Sequence, residues 1–266
     1  MAPRHIGLAT CLAAVATALL AGGALSASST AVHGATESGR AMPTSQAWDL
    51  VWISDSTGWG VAPFYGRQIK QARNVPVRVH DEWGDGLEAQ TILRRLKTPS
   101  DPWVSLIRDA EVIVVLGNPI GLEALEGGGN CGNILTPPRI VGPRAWPKYI
   151  AGMKAIYKRI FEIRKGKPVI LRTYTYYVSW LSSWAGMTKA CVKRWESLAW
   201  AISKAAAAYH VPVADVYTAF NGKTRLEDPV AKGYIQADGH HPNNKGRAVI
   251  AETVAALGYR QVKPPR

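Results

Sequence analysis

The run Val112-Ile113-Val114-Val115-Leu116 carries no polar side chain at all. Successive side chains of a strand point to opposite faces, so a run that is apolar throughout has to be covered on both sides. An all-parallel sheet between two layers of helices does this, and few other architectures do. The rest of the chain keeps the same rhythm. Further strands are predicted over residues 49–53, 75–79, 168–173 and 211–216, and amphipathic helices fall between them. In the first helix, residues 58–73, Val61, Phe64, Tyr65, Ile69 and Ala72 recur at helical spacing and Asn74 supplies a stop. Leu87, Ile92, Leu93 and Leu96 mark a second helix beyond a loop at residues 80–86, and Asp101-Pro102 opens a third that ends before Ala110. Residues 147–164, 189–209 and 243–257 complete the helical set. At 266 residues this makes one α/β domain of ordinary size with a parallel five-stranded sheet.

Residues 1–34 read as a secretory signal: Arg4 and His5 precede an apolar, Ala-rich stretch, and small residues follow at Ala24-Leu25-Ser26 and Ser29-Thr30-Ala31. Residues 35–46 are small and polar and read as a disordered lead-in, with the folded domain at 47–266. No later segment is long and apolar enough to span a bilayer. Removing the signal takes away one formal charge, Arg4, so the mature chain keeps about +12 of the +13. That charge favours anionic surroundings such as a cell-surface polymer. Lys and Arg are scattered over helices without interleaved aromatics, so no nucleic-acid module is read. Cys11 lies in the signal, which leaves Cys131 and Cys191; in an exported domain these two predict one disulfide. Cys/His spacing suggests no metal site. The glycine-rich stretch Gly127 to Gly132 lacks the Lys-Ser/Thr ending of a P-loop and reads as a loop over the site. Tyr174, Tyr176, Tyr177, Trp180 and Trp184 crowd the segment after the fourth strand, where they either line a groove for sugars or acyl chains or pack into the core.

Two places carry chemistry. The first strand runs into Ser54-Asp55-Ser56-Thr57-Gly58, which sets small hydroxyl and acidic residues at the carboxyl end of the sheet, where parallel α/β folds bind ligands. Asp55 or Ser56 also suits an N-cap. Near the other end stands Asp238-Gly239-His240-His241-Pro242-Asn243. A serine hydroxyl needs a base to take its proton, and an imidazole needs an acid to hold it; Ser56, His241 and Asp238 supply the three.

With these residues in view, the chain from about Trp48 to Leu257 resembles the SGNH hydrolases, the GDS(L)-type esterases and lipases. Ser54-Asp55-Ser56-Thr57 is similar to that family's first block, with Ser54 where glycine is usual, and the Asp238 to Asn243 stretch to its last. In Val115-Leu116-Gly117-Asn118, Asn118 falls where the family's oxyanion asparagine would be, with Leu116 in place of the usual glycine. Gly84 and Gly86 compete for the second block, and Gly86 fits the spacing to Leu93 and Leu96 better. The resemblance implies a flavodoxin-like three-layer α/β/α sandwich and a secreted serine esterase acting on acyl lipids or acylated carbohydrate. It implies a catalytic Ser56, His241 and Asp238, an oxyanion hole of Ser56, Gly86 and Asn118, and no cofactor or metal. The α/β-hydrolase elbow Gly-x-Ser-x-Gly differs by one residue from Ser54 to Gly58, but there the serine follows several strands and the acid lies far from the histidine. A non-catalytic module that binds a cell-surface polymer is the alternative; it has no need of serine, acid and base together.

Overall fold

The computed structural model describes residues 46–119, 146–179 and 189–265, with side chains in the last stretch described from Lys193 onward. The described part belongs to one compact unit, residues 43–266. Five parallel strands, β1 (Trp48–Asp55), β2 (Val77–Gly84), β3 (Val112–Val115), β4 (Ile170–Tyr174) and β5 (Val213–Ala214), stand in the order β2-β1-β3-β4-β5. This is the flavodoxin-like order. The chain builds outward from β1 to β2, then crosses back to place β3 on the other side of β1. Between the carboxyl ends of β1 and β3 the crossovers diverge to opposite faces, which opens a crevice there.

Helix α1 (Ala62–Arg73) packs against α7 (Asn244–Ala255) on one face. On the other, α4 (Pro147–Ile163) packs against α2 (Ala89–Lys97), α3 (Pro102–Asp109) and α5 (Lys189–Ala207). Leu50 to Ile53 and Val112 to Leu116 have no exposed surface, as strands covered on both faces require. The local signals act as read: Asp101 caps α3 by accepting from the Trp103 amide at 3.0 Å, and Asn74 ends α1 in the left-handed region at φ 51°.

Several boundaries shift from the sequence expectation, the first helix among them, which begins at Ala62 rather than Gly58, and two of the shifts have a clear physical reason. Residues 80–84, expected in a loop, continue β2 in register with β1 as far as Gly84 opposite Asp55. This strand is the sheet edge, so its outer side faces water and tolerates His80, Asp81 and Glu82, which hide the strand from an apolar pattern. The fifth strand is only Val213–Ala214, because Asp215 accepts from the Thr218 amide at 2.9 Å and caps a short helix, α6 (Val216–Asn221). The Gly127 to Gly132 stretch, the expected Cys131 to Cys191 bond, Trp180 and Trp184 lie outside the described residues or side chains. Tyr174, Tyr176 and Tyr177 are buried, so for these three the core alternative holds.

Candidate active site

The end of β1 enters a single 3-10 turn, Ser56–Gly58, capped by Asp55, whose Oδ1 accepts from the Thr57 amide and hydroxyl. The capping alternative for Asp55 is therefore correct, but it covers half of what this carboxylate does. Its other oxygen, Oδ2, accepts from Asn118 Nδ2 at 2.6 Å and from the Tyr176 hydroxyl at 3.0 Å. Asn118 follows β3 and Tyr176 follows β4, so one buried carboxylate ties together the carboxyl ends of three strands, across the crevice beside β1. Burial pushes the Asp55 carboxyl up, against the pull of those four donors. Each donor is matched to an oxygen lone pair, and this is how a buried acid is tolerated.

Ser54, where the resembled family has glycine, is fully buried and donates to the Asp55 carbonyl at 3.0 Å. Its side chain has room because residue 58 is glycine: a Cβ there would collide with Ser54 Oγ and sit 2.5 Å from the Tyr174 hydroxyl. The close approach is thus kept by moving the glycine four residues along. Gly117 serves likewise at β3, where a Cβ would lie 2.6 Å from Ala89 Cα. That closeness lets the Asn118 amide donate to the Leu87 carbonyl at 2.8 Å and stitches the Asn118 loop to the Gly84–Glu88 loop. Both candidate second-block glycines lie in the stitched loop; Gly86 adopts φ 55°, a left-handed conformation that favours glycine.

The histidine loop is closed by an antiparallel bridge between Ile235 and Pro242. Asp238 Oδ1 accepts from the His240 and His241 amides at 2.8 and 3.0 Å, and Oδ2 lies 2.7 Å from His241 Nδ1. Partial burial works to raise the Asp238 carboxyl; the two amides and the His241 ring outweigh it and hold it below the usual carboxylate range. With Nδ1–H directed at the carboxylate, the neutral ring keeps its lone pair on Nε2. Asn243 then caps α7 through the Lys245 and Gly246 amides. His240 is held differently. Its carbonyl accepts from the Tyr177 hydroxyl at 3.0 Å, its Nδ1 lies 3.2 Å from Ser179 Oγ, and burial followed by the neighbouring His241 lowers its pKa.

The serine turn and the histidine loop meet through their flanks. The Arg247 guanidinium, from α7, lies 4.7 Å from the Trp59 ring centre, three residues past Ser56, and α1 packs on α7. Ser56 is half-buried, and its hydroxyl has no hydrogen-bond partner among the described residues. Sequence reasoning singled out Tyr176 by its place just past a parallel strand but gave neither its hydroxyl's bond to Asp55 nor the double duty of that carboxylate.

One further carboxylate flanks the serine turn. Asp81 accepts from the Gly60 amide at 3.1 Å, and burial raises it to about 6, with Glu82 adding to the shift and Arg247 opposing it. Unfolding returns it to the ordinary range, so between about pH 4 and 6 the folded chain holds the extra proton. The contribution of Asp81 to stability therefore falls as pH rises through about 6. Asp81→Asn, which keeps an acceptor for Gly60, is expected to raise stability at pH 7.5 by on the order of 1 kcal/mol, below the full linkage value because the group is partly solvated. The gain should shrink at pH 4.5. Urea unfolding midpoints of the two proteins at both pH values check this.

No protein-family model matches the chain, and no curated protein does. Among solved structures it is similar to a lipase from a goat rumen metagenome, with TM-score 0.59 and 21% identity over 80% of this chain and 98% of that one. An acetyl-xylooligosaccharide esterase from a Geobacillus aligns at TM-score 0.55 and 13% identity, covering 80% and 95%. A lipase/acylhydrolase from Enterococcus faecalis aligns at 0.51 and 18%, covering 82% and 99%. With its strand order and the crevice between β1 and β3, the chain has the fold of the SGNH hydrolases.

Proposed function

We propose that the chain is a secreted serine esterase that hydrolyses carboxylic esters of acyl lipids or acylated carbohydrate. The observation that carries this is the 2.7 Å contact between Asp238 and His241, in a loop whose flank touches the flank of the Ser56 turn. An imidazole oriented by an acid, in a loop whose flank meets that of a serine turn at the carboxyl end of β1, supports a reading of general-base catalysis.

In the proposed reaction Ser56 Oγ attacks the ester carbonyl while its proton passes to His241 Nε2. Negative charge moves to the carbonyl oxygen, where amide donors are worth about 3–4 kcal/mol each. The Ser56 and Gly86 backbone amides and the Asn118 side chain fill that role, and Asp55 fixes the plane of the Asn118 amide through one of its two hydrogens. Collapse breaks the bond to the alcohol oxygen, which takes the proton from His241. Water, deprotonated by the same histidine, then adds to the acyl carbonyl, and collapse breaks the bond to Ser56 Oγ, which takes the proton back from His241 as the acid leaves. No step calls on a cofactor. The apolar start at residues 1–34 supports export, and a net charge of about +12 supports residence near an anionic polymer.

Treatment of the purified protein with a fluorophosphonate, followed by peptide mass spectrometry, tests the reading. One adduct on Ser56, lost when His241 is replaced by alanine, is expected. A protein that takes up no label and turns over no ester would instead be the polymer-binding module.

A further inference from the structure

Three tryptophans stand exposed among the described residues: Trp59, Trp83 and Trp200. Trp200, on α5, makes no ring contact among the described residues, whereas Trp59 and Trp83 touch, with ring centres 5.2 Å apart and planes tilted by 36°. Each keeps about two fifths of its surface in water, at 39% and 40%. Trp59 directly follows the turn that begins at Ser56. Trp83 is the next-to-last residue of β2, opposite Ser54 in register, and directly precedes the loop of Gly84 and Gly86. Both rings therefore stand at the carboxyl end of the sheet, on the side of the serine turn toward the β2 edge.

The pair is held in place. Arg247 lies over the Trp59 ring at 4.7 Å, and the Gly60 amide, next to Trp59, is fixed on Asp81. Gly60, at φ 70°, leaves the space that the Arg247 guanidinium fills, since a Cβ there would be 3.1 Å from its central carbon. Core packing does not account for two large rings left open to water and braced from behind, because it would hide them.

Resting on the esterase reading of Ser56, we propose that Trp59 and Trp83 form a stacking subsite for a pyranose ring of an oligosaccharide, so that the ester cleaved is one borne by a glycan. A pyranose presents a face of C–H bonds carrying slight positive charge, which suits the negative face of an indole. Its hydroxyls project around the rim, where they keep their water or reach the Arg247 guanidinium beside Trp59. An acyl chain has no polar rim and gains most when enclosed, whereas this surface is open and edged by charge.

The test begins with a measurement that needs no hydrolysis. Cellohexaose, xylohexaose and chitohexaose are titrated calorimetrically into the wild-type protein, Trp83→Ala and Trp83→Phe. At least one sugar is expected to bind wild type, at least tenfold more weakly to the alanine variant and within about threefold of wild type to the phenylalanine variant, which keeps a stacking face. Absence of binding by all three sugars, or equal binding to the alanine variant, overturns the proposal. So does a Trp83→Ala defect confined to vinyl laurate hydrolysis, which would make the surface an acyl-chain site. The phenylalanine variant guards against a folding defect: if it bound no better than alanine, stacking would not be the cause. In a second arm, the O-acetylated form of the sugar that binds is compared with ethyl acetate, and Trp83→Ala should raise KM for the sugar ester at least tenfold more than for ethyl acetate. Binding without turnover of any ester would sink the esterase reading and leave the subsite standing; turnover without sugar binding would do the reverse.

Discussion

Ser56→Ala is expected to lower kcat/KM for an activated ester such as 4-nitrophenyl butyrate by at least about 10⁴-fold, the scale on which removal of a triad nucleophile acts. The fold should survive. Ser56 is half-buried, its hydroxyl makes no hydrogen bond among the described residues, and the cap of the turn is Asp55, which the variant keeps. Its thermal midpoint should therefore stay within a degree or two of wild type, and this separates a lost nucleophile from a lost turn. Asp55→Ala would give the opposite pattern. It strips Thr57, Asn118 and Tyr176 of a shared buried acceptor, so stability and activity should fall together. A Ser56→Ala protein that kept more than a hundredth of wild-type turnover would remove Ser56 from the mechanism.

What the sequence makes legible here follows from how each signal arises. Strands buried on both faces must be apolar throughout, so β1 and β3 stand out and fix the layered parallel fold. Caps are local, so Asp101, Asn243 and the stop at Asn74 can be placed without knowing what they pack against. The edge strand is different. Polar residues from His80 to Glu82 are compatible with a strand when one side faces water, and no local pattern separates that from a loop. Asp55 shows a second limit. A carboxylate just before a turn reads as a cap, and only the return of β3 and β4 to its side reveals that its other oxygen gathers Asn118 and Tyr176. The exchange between Ser54 and Gly58 is a third. Seen along the chain, Ser54 looks like a departure from close packing; in space the missing Cβ has been supplied by the residue above it.

Two adjacent histidines leave the register of the catalytic turn to be tested by kinetics, and the structure gives each a claim. His240 is partly buried, its Nδ1 beside the Ser179 hydroxyl, and its ring lies within electrostatic range of Asp55, the neighbour of Ser56. His241 has the carboxylate. A base gains from a partner that fixes its tautomer and steadies the imidazolium, and Asp238 lies on the His241 ring at 2.7 Å, while from His240 it accepts the backbone amide. Enclosure works against His240, since burial and then the neighbouring His241 lower its affinity for the proton a base must accept, against the weaker pull of Asp55 and Asp238. His241→Ala should therefore cost about 10³-fold or more in kcat/KM, and His240→Ala less than about tenfold. Asp238→Asn should fall between them, since an amide still caps the turn but cannot steady a cation. The loss should be milder than for a buried triad acid, because the Asp238 side chain is 43% exposed and water can take up part of its role. One soluble ester, measured with all three variants from pH 5 to 9, decides the order. A larger loss for His240→Ala than for His241→Ala would shift the base by one residue and make Asp238 a structural clasp of the turn.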